Sequence, residues 1–333
     1  MEEKKISEQK PQRPAVSICC LAYNHEKYIR DALDSFLAQK TSFPIEVLIH
    51  DDASTDGTAD IIREYEKKYP DIIKPVYQTE NQYSKGVKNI SGIFNFPRAK
   101  GRYIAMCEGD DYWTEPDKLE KQVAYLDSHP GCSLCFHSAR QVTVDGSITD
   151  GYMRPYRKDR KVSPEEIIDK TSGYAMNSMV FPVEVVEHIP DYYWNCPIGD
   201  IPMQLMMAEK GWAYYMDEAM SVYRVGVAGS WTAQMRSGDY EKKQKEYCRQ
   251  MEAMYREFDR ETGGKYHKQA VNAARRIGFL TKVNTKHYDE VLDRKNRKFY
   301  RELNFRTRFF IRFEILCPSL YRWLQKKATG RNG

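Results

Sequence analysis

Apolar, β-rich runs alternate with amphipathic stretches in the first part of this chain, and the alternation restricts the fold more than any other feature. The run at 15–22 (AVSICCLA) is typical of a buried strand, and residues 28–39 place apolar side chains at helical spacing. A second strand and helix are predicted at 45–50 and 58–69. The pattern then predicts a strand, a helix, a strand, a helix and a strand, at 72–78, 86–98, 102–107, 116–129 and 133–137. Strands that alternate with helices indicate an α/β fold, with a Rossmann-like, mostly parallel central sheet flanked by helices.

Acidic residues directly follow two of the predicted strands. Asp51 and Asp52 end the second strand, and Glu108, Asp110 and Asp111 follow the fourth. Ligands of open parallel sheets bind beyond the carboxyl ends of the strands, so we expect both clusters to face one crevice. Because the carboxylates repel one another, the crevice is expected to hold Mg²⁺ or Mn²⁺, which prefer oxygen ligands. The alternative is a pair of solvated acidic turns, since Asp and Gly are ordinary turn residues.

The formal net charge of +5 is unevenly distributed. Residues 291–333 hold 12 Lys+Arg and 3 Asp+Glu, a net of +9, whereas the first 290 residues hold a net of −4. The stretch 294–328 is basic and aromatic, and Pro318 is expected to break or kink any helix there. Four apolar residues in it recur at roughly helical spacing: Phe299, Leu303, Phe310 and Phe313. Such a tail lies on an anionic membrane surface or packs on its own domain with Arg facing water. Nucleic acid is not an expected partner, because the overall charge is slight.

The start of the chain and its hydropathy bear on the compartment. Residues 1–14 are polar and charged, and no window reaches about 18 uninterrupted apolar residues. A secretory signal and a membrane-spanning helix are therefore not expected. With the basic tail, these features predict a cytoplasmic protein that is peripheral at the cytoplasmic face of the membrane.

Three segments carry a resemblance to a known family. They are VSICCLAYNHEKYIRDALDSFLAQ, EVLIHDDASTDGTADIIREY and GRYIAMCEGDDYWTEPDKLEKQ. In this order and spacing the chain resembles the family 2 glycosyltransferases of GT-A fold, from about residue 14 to about residue 231. The resemblance implies an inverting transferase that uses a nucleotide-diphospho-sugar, with UDP as the expected nucleotide, and Mn²⁺ or Mg²⁺ as cofactor.

The resemblance also implies roles for individual residues. Asp52 matches the Asp that accepts a hydrogen bond from the uracil ring. The loop that lines the base pocket is matched by Ala22, Tyr23 and Glu26. The DxD element is matched by Glu108, Gly109 and Asp110, with Glu replacing the first Asp. Asp110 is the expected metal ligand, and Asp111 is the second choice.

Asp200 precedes an apolar helical pattern at 201–208, and it matches the family's general base. A carboxylate suits that role because it can accept the proton of the attacking acceptor hydroxyl. The alternative is a helix N-cap, for which Asp is a preferred residue. Gly199 departs from the family's usual Glu at the preceding position.

Arg224 lies in the segment MSVYRVGVAGSW, which resembles the family's closing segment. Its guanidinium is expected to hold the diphosphate, and the alternative is a surface salt bridge. The family's His is absent from this segment, and Gly226 stands near its place.

The expected domain plan has three parts. They are a disordered segment at 1–13, a GT-A domain at 14–235 and a helical region at 236–333 that ends in the basic amphipathic tail at 294–328. The GT-A domain is divided into a nucleotide-sugar-binding half and an acceptor-binding half, at 14–115 and 116–235.

The expected function is sugar transfer to a glycan or lipid-linked acceptor in the making of a cell-envelope polysaccharide. One alternative is a sugar nucleotidyltransferase, although AYNHEKY replaces the Gly-rich loop that such enzymes carry after the first strand. Another is a catalytically silent binding module, which the two departures from the family pattern, Glu108 and Gly199, would favour.

Overall fold

A computed structural model describes residues 13–170 and 173–328 of the chain. All but the last residue of the predicted disordered segment, 1–13, lie outside the described residues. The strands form a sheet in the order β3-β2-β1-β4-β9-β6-β10-β5, with β7 beside β6 and β8 beside β10. In chain order the ten strands within these described ranges are Val16–Ala22, Ile45–Asp51, Ile73–Tyr77, Tyr103–Met106, Tyr112–Trp113, Cys132–Thr143, Ile148–Met153, Arg160–Val162, Val180–Pro182 and Trp212–Val225.

Helices cover both faces of this sheet and extend beyond it. From α1 to α8 they are Ile29–Leu37, Thr58–Lys68, Ile90–Phe94, Lys118–Ser128, Pro164–Asp169, Asp191–Trp194, Asp200–Lys210 and Trp231–Arg236. From α9 to α14 they are Tyr240–Glu261, His267–Asn284, Tyr288–Val291, Arg297–Glu302, Phe305–Leu316 and Pro318–Ala328.

The strands β1 to β4 pair in parallel, as the alternation of strands and helices predicts. Successive residues of β1 enter opposite cores: Ile18 packs in a cluster with α1, α2 and α4, and Cys19 packs in a cluster with α5, α7 and α9. This period of two is the signature of a strand buried on both faces. The sheet is therefore the middle layer of an α/β/α arrangement, and its predicted class is confirmed.

Two predicted elements differ from the structure. The helix predicted at 86–98 is the short α3, followed by a 3₁₀ turn at Phe96–Arg98. Asn89, which precedes α3, has φ 53°, in the left-handed region, so a helix cannot run through it. The strand predicted at 133–137 continues to Thr143, because it pairs in parallel along most of β10.

Helices α9 and α10 belong to the same core as the sheet. Met251, Tyr255 and Phe258 of α9 and Ala270 of α10 are buried in the cluster that contains Cys19. The predicted boundary at 235/236 falls next to the end of α8 at Arg236. Beyond this boundary, the two helices still pack on the sheet domain rather than forming a separate core.

The tail forms three helices, α12, α13 and α14. The predicted break at Pro318 separates α13 from α14, and a second break, which was not predicted, lies where Leu303 is extended and Asn304 caps α13. Phe299 and Ile311 are buried in a small cluster with Phe279 of α10. A distinct set of tail residues is exposed: Phe305, Phe309, Phe310, Ile315, Leu316, Leu320, Trp323 and Leu324. Among the described residues, no helix is both long enough and apolar enough to cross a bilayer.

Candidate functional site

The two acidic clusters meet at the carboxyl edge of the parallel strands, as expected. β1 lies between β2 and β4, and the backbone N–H of Asp52 donates to the carbonyl of Ala22 at 2.9 Å. The loops that follow β1 and β2 are joined by Asn24, whose side-chain oxygen accepts from the N–H of Thr55 at 2.8 Å. Asn24 has φ 55°, a left-handed conformation that Asn tolerates better than most residues. Tyr23 is 42% exposed at this edge.

Glu26 lies against the second loop. Its backbone N–H donates to Asp56 at 3.1 Å, and its carboxylate lies beside Gly57. A Cβ at Gly57 would come within 2.6 Å of the Glu26 carboxylate oxygen. The predicted base-pocket residues Ala22, Tyr23 and Glu26 are thus on one wall, next to the turn that follows Asp52.

Gly109 lets the loop after β4 turn tightly into the crevice. Its N–H donates to the carbonyl of Leu21 at 2.8 Å. A Cβ on Gly109 would lie 2.9 Å from the Ile29 side chain and 3.0 Å from Nδ1 of His25. Both contacts are tight, so a larger residue at position 109 would have to displace the Ile29 and His25 side chains. The close approach places Glu108 and Asp110 on either side of a fixed backbone.

Glu108, Asp110 and Asp200 are close enough for their charges to interact. Burial, together with the negative charges of Asp110 and Asp200, raises the pKa of Glu108 to about 8. Burial also raises the pKa of Asp200. The structure therefore brings together the predicted DxD element and the predicted base, which are about 90 residues apart in sequence.

Two further side chains border these carboxylates. His25 Nε2 lies 4.0 Å from an Asp110 oxygen, and both side chains are 15% exposed. Burial lowers the pKa of His25, and Asp110 opposes that effect. His25 Nδ1 is buried, and it has no hydrogen-bond partner among the residues that the structure describes. Tyr223 lies near the acidic groups. Burial, and then the charges of Asp111, Glu108 and other carboxylates, raise the pKa of its hydroxyl.

The Asp111 carboxylate is buried and hydrogen-bonded to protein groups. It is 2% exposed, and its two oxygens accept from Nδ2 of Asn177 at 3.0 Å and from the N–H of Arg224 at 2.8 Å. Asn177 also donates to the carbonyl of Val222 at 2.9 Å, and its side-chain oxygen accepts from Ser221 at 2.8 Å. This network fastens the acidic loop to β10. Sequence reasoning missed Asn177, since a single polar residue inside an apolar stretch is not distinctive.

Replacing Asn177 with alanine is expected to lower the free energy of unfolding by about 2–3 kcal/mol, because Asp111 and Ser221 lose buried partners. Denaturant unfolding measures the effect. The matched control is Asn195→Ala, since the exposed Asn195 donates one side-chain hydrogen bond, to Glu257. The control is expected to change stability by no more than about 0.5 kcal/mol. Equal losses in the two variants would contradict the bracing role.

Asp52 holds the loop between β3 and α3. Its two oxygens accept from the backbone N–H groups of Gln82 at 2.7 Å and Tyr83 at 3.1 Å. His50 Nε2 lies 3.4 Å from one of these oxygens. The residue expected to meet the base ring is thus hydrogen-bonded to a protein loop, and a base that took its place beside Asp52 would compete with that loop.

Arg224 is buried rather than lying on the surface. Its guanidinium pairs with Asp31 of α1 and lies 4.9 Å from the ring centre of Tyr28 and 5.1 Å from that of Tyr112. Nε of Arg224 is buried, and within the described part of the chain it has no hydrogen-bond partner. Arg224 therefore forms a salt bridge, as the alternative interpretation predicts, but the arginine is buried, with 7% exposure, rather than on the surface.

Asp200 is the first residue of α7, and Gly199 occupies the N-cap position. Gly199 is therefore the cap residue, and the alternative interpretation of Asp200 as the cap does not hold. A Cβ on Gly199 would lie 3.2 Å from the side-chain oxygen of Asn89, so a larger residue there would press on the β3–α3 loop. This contact is a physical reason for the departure from Glu at position 199.

Among the residues that the structure describes, one trio of acidic side chains has ligand atoms within 4.8 Å of one another: Asp191, Glu257 and Glu261. Asp191 and Glu261 belong to α6 and α9, outside the loops of the crevice. Exposed acidic groups of this kind are common on protein surfaces. The Glu108–Asp110 pair instead matches the one or two carboxylates that Mg²⁺ takes together with substrate phosphates.

Comparison with known proteins adds relatives and a fold. The model of the Glycosyl transferase family 2 matches residues 17–181. The putative teichuronic acid biosynthesis glycosyltransferase TuaG of Bacillus subtilis is 31% identical over 216 residues, which are 64% of this chain and 80% of TuaG. An uncharacterized protein of Mycobacterium tuberculosis is 39% identical over 221 residues. The match covers 65% of this chain and 60% of that protein, so the chain spans less than two thirds of its length.

Two solved structures share the architecture. Staphylococcus aureus TarS 1-349 in complex with UDP-GlcNAc superposes with a TM-score of 0.58 at 17% identity, over 95% of this chain and 92% of TarS 1-349. The mannosyltransferase PcManGT of Pyrobaculum calidifontis, in complex with GDP-Man and Mn²⁺, gives a TM-score of 0.51 at 17% identity, over 87% of this chain and 84% of that one. At these identities the likeness shows the fold alone.

Proposed function

The chain belongs to glycosyl transferase family 2, and from this premise we propose that it moves a sugar from a nucleotide-diphospho-sugar to an acceptor hydroxyl, with inversion at the anomeric carbon. UDP is the proposed nucleotide, and a glycan or lipid-linked saccharide is the proposed acceptor. The chain has the GT-A fold, in which the crevice at the carboxyl edge of the sheet is the natural donor site.

The observation that carries this proposal is the grouping of Glu108, Asp110 and Asp200. Burial raises the pKa of both Glu108 and Asp200, and the charges of Asp110 and Asp200 add to the shift of Glu108, which supports a poorly solvated acidic site. Such a crevice is suited to a cation-bound diphosphate and to a carboxylate base. Membership of glycosyl transferase family 2 argues against the alternative function of a sugar nucleotidyltransferase.

The donor set fits a divalent cation, since partly buried carboxylates with an unrelieved charge face the crevice. We propose Asp110 as the ligand, with Glu108 beside it, because Asp111 has both oxygens bonded to protein groups. When bound there, the cation would neutralise charge on the leaving nucleoside diphosphate.

The remaining steps fall to the chain's own groups. An oxygen of Asp200 accepts the proton of the acceptor hydroxyl as that oxygen attacks the sugar, and Asp200 is then regenerated by solvent. The raised pKa of Tyr223 keeps its hydroxyl protonated, so it can donate a hydrogen bond to an anion in the crevice. Ala22, Tyr23 and Glu26 form the proposed wall for the base. Asp52 would meet the base once the β3–α3 loop releases it, and Arg224 is the proposed contact for the diphosphate once its guanidinium parts from Asp31.

A panel of nucleotide sugars tests the function directly. Binding and slow hydrolysis of UDP-, GDP- and dTDP-sugars are measured with and without Mn²⁺. We expect a UDP-sugar to bind most tightly and to be hydrolysed only with the metal. Absence of binding across the panel would favour the silent module, and an NTP-dependent synthesis of a sugar nucleotide would favour the nucleotidyltransferase.

We also propose that the tail attaches the enzyme to an anionic membrane surface at the cytoplasmic face, where a lipid-linked acceptor of a cell-envelope polysaccharide would be reached. Phe305 and Leu316 are 77% and 78% exposed, and Trp323 is 56% exposed. Exposed basic residues, Arg306 and Arg312, are interspersed with them on α13. Aromatic and basic side chains together suit the headgroup zone of an anionic bilayer.

Serine at Phe305, Leu316 and Trp323 is expected to weaken binding to phosphatidylglycerol vesicles by about tenfold or more, because three apolar insertions are lost. Vesicle co-sedimentation measures the effect, and Phe299 and Ile311 still fasten the tail to α10. Tyr152→Ser, at a 48% exposed aromatic outside the tail, is the control. Equal sedimentation of the triple variant and the wild type would contradict the membrane role.

A further inference from the structure

A cleft of about 630 Å³ opens between the β3–α3 loop and helices α8 and α9. Pro197, three residues before Asp200, is part of its lining, and Tyr247 of α9 is another part. Burial raises the pKa of Tyr247, and the negative charge of Asp200 adds to that effect, so the cleft lies next to the proposed base. Helix α9 begins after the predicted end of the GT-A domain at 235, so the helical region contributes directly to this site.

The cleft offers aromatic faces of the kind that bind sugar rings. Trp231, at the start of α8, is 36% exposed, and Tyr83 in the β3–α3 loop is 45% exposed. Both residues line the cleft. The Trp231 ring lies 5.3 Å from that of Tyr247, and this contact holds the indole in place. A preplaced aromatic ring can cover the apolar face of a sugar while the hydroxyl rim remains free for hydrogen bonds.

Most charged groups that line the cleft already have partners. Asp239 caps α9, and Glu246 accepts from Arg249 and Gln250. Lys243 donates to the carbonyl of Gln234 at 2.7 Å and to Ser237 at 3.1 Å.

Two lining lysines, Lys88 and Lys242, are different. Both are exposed, and within the described ranges neither side chain makes an ion pair or a hydrogen bond. Lys88 is on the β3–α3 loop and Lys242 is on α9, so the two cations come from separate walls of one cleft. This placement favours an occupant with a negative charge.

We infer that this cleft is the acceptor subsite and that it takes an anionic sugar, whose ring stacks on Trp231 and whose phosphate or carboxylate lies near Lys88 and Lys242. The inference rests on the proposed function, because it assigns the second substrate of that reaction. It goes further by naming the acceptor's chemistry and by placing its recognition on α8 and α9. The hydroxyl that reacts would then point along the cleft toward Asp200.

Saturation-transfer NMR on the full chain, with diamagnetic Mg²⁺ and saturating UDP, tests the inference with three probes. They are N-acetylglucosamine 1-phosphate, glucuronic acid and the neutral methyl glucoside. We expect at least one anionic probe to bind several-fold more tightly than the neutral one, and the probe that binds identifies phosphate or carboxylate as the charge. Equal or absent binding of all three probes would overturn the inference.

Variants locate the binding in the cleft. Trp231→Ala is expected to lower the affinity for the anionic probe about tenfold, and Trp231→Phe should keep most of that affinity. Changing both Lys88 and Lys242 to Gln should reduce the preference for the anionic probe about threefold to tenfold. Lys245→Gln is the control, because Lys245 is on α9, pairs with Glu241 and does not line the cleft. Unchanged affinities in the cleft variants would also overturn the inference.

Binding of UDP is recorded in the same samples, so the two proposals can fail separately. If the wild type does not bind UDP, the proposed function fails. If UDP binds normally and the cleft variants leave the affinity for the sugar probes unchanged, the proposed donor site is supported and only the acceptor subsite is wrong.

Discussion

Replacing Asp200 with asparagine is expected to lower the rate of sugar transfer about 10³-fold, because an amide cannot accept the proton of the acceptor hydroxyl. Asparagine has nearly the same shape, and Gly199 remains the N-cap of α7, so the fold should be unaffected. The affinity for UDP and Mn²⁺ should stay within about twofold of wild type. Initial rates at saturating donor, with UDP affinity measured by calorimetry, separate the two effects.

The pH profile gives a second readout of the same role. Burial raises the pKa of Asp200, and a base works only when it is deprotonated. The wild-type rate should therefore fall as the pH drops through that raised pKa, at a less acidic pH than an exposed Asp would give. This acidic limb should be missing from the residual activity of Asp200→Asn.

Asp191→Asn is the matched control for this variant, since Asp191 is also the first residue of a helix and is exposed on α6. It should keep wild-type rates and the acidic limb. Transfer at a near-normal rate by Asp200→Asn would remove Asp200 from the mechanism and leave its position at the start of α7 as its only role.

The parallel half of the fold could be predicted from sequence because each strand there is short, apolar and followed by its own helix. The other half could not. β6 and β10 are long and pair with each other across about 80 intervening residues, so no local period reports their partnership. The helix predicted at 86–98 is longer than α3, because Asn89 adopts a left-handed conformation that its residue type permits but does not require.

The site shows the same division between local pattern and tertiary contact. The order of strands is enough to predict that the acidic clusters after β2 and β4 lie at one edge of the sheet, whereas Asp200 is placed beside them only by the family resemblance. It could not show that Asp52 and Arg224 are already engaged by Gln82 and Asp31, since those contacts depend on loops whose course is set by packing. The role of Asn177 was hidden for the same reason.

Replacing Asp110 with asparagine is expected to reduce transfer about 10³-fold and to abolish its dependence on Mn²⁺, because one ligand carboxylate is lost from the crevice. Electron paramagnetic resonance of free Mn²⁺ in the presence of UDP measures metal binding without relying on turnover. The Mn²⁺ affinity should fall by tenfold or more, by about 1.4 kcal/mol or above. The unfolding free energy should change little, since Asp110 is partly exposed and its one ion-pair contact within the described ranges, to His25, is 4.0 Å long.

Asp111→Asn separates the two neighbouring carboxylates. Asp111 is buried and accepts from Asn177 and the Arg224 N–H, so its amide variant should lose stability while retaining most of the Mn²⁺ affinity. The opposite result, with Mn²⁺ affinity lost in Asp111→Asn and kept in Asp110→Asn, would reverse the assignment. It would also require Asp111 to exchange its protein partners for the cation, and β10 would then be released from the acidic loop on metal binding.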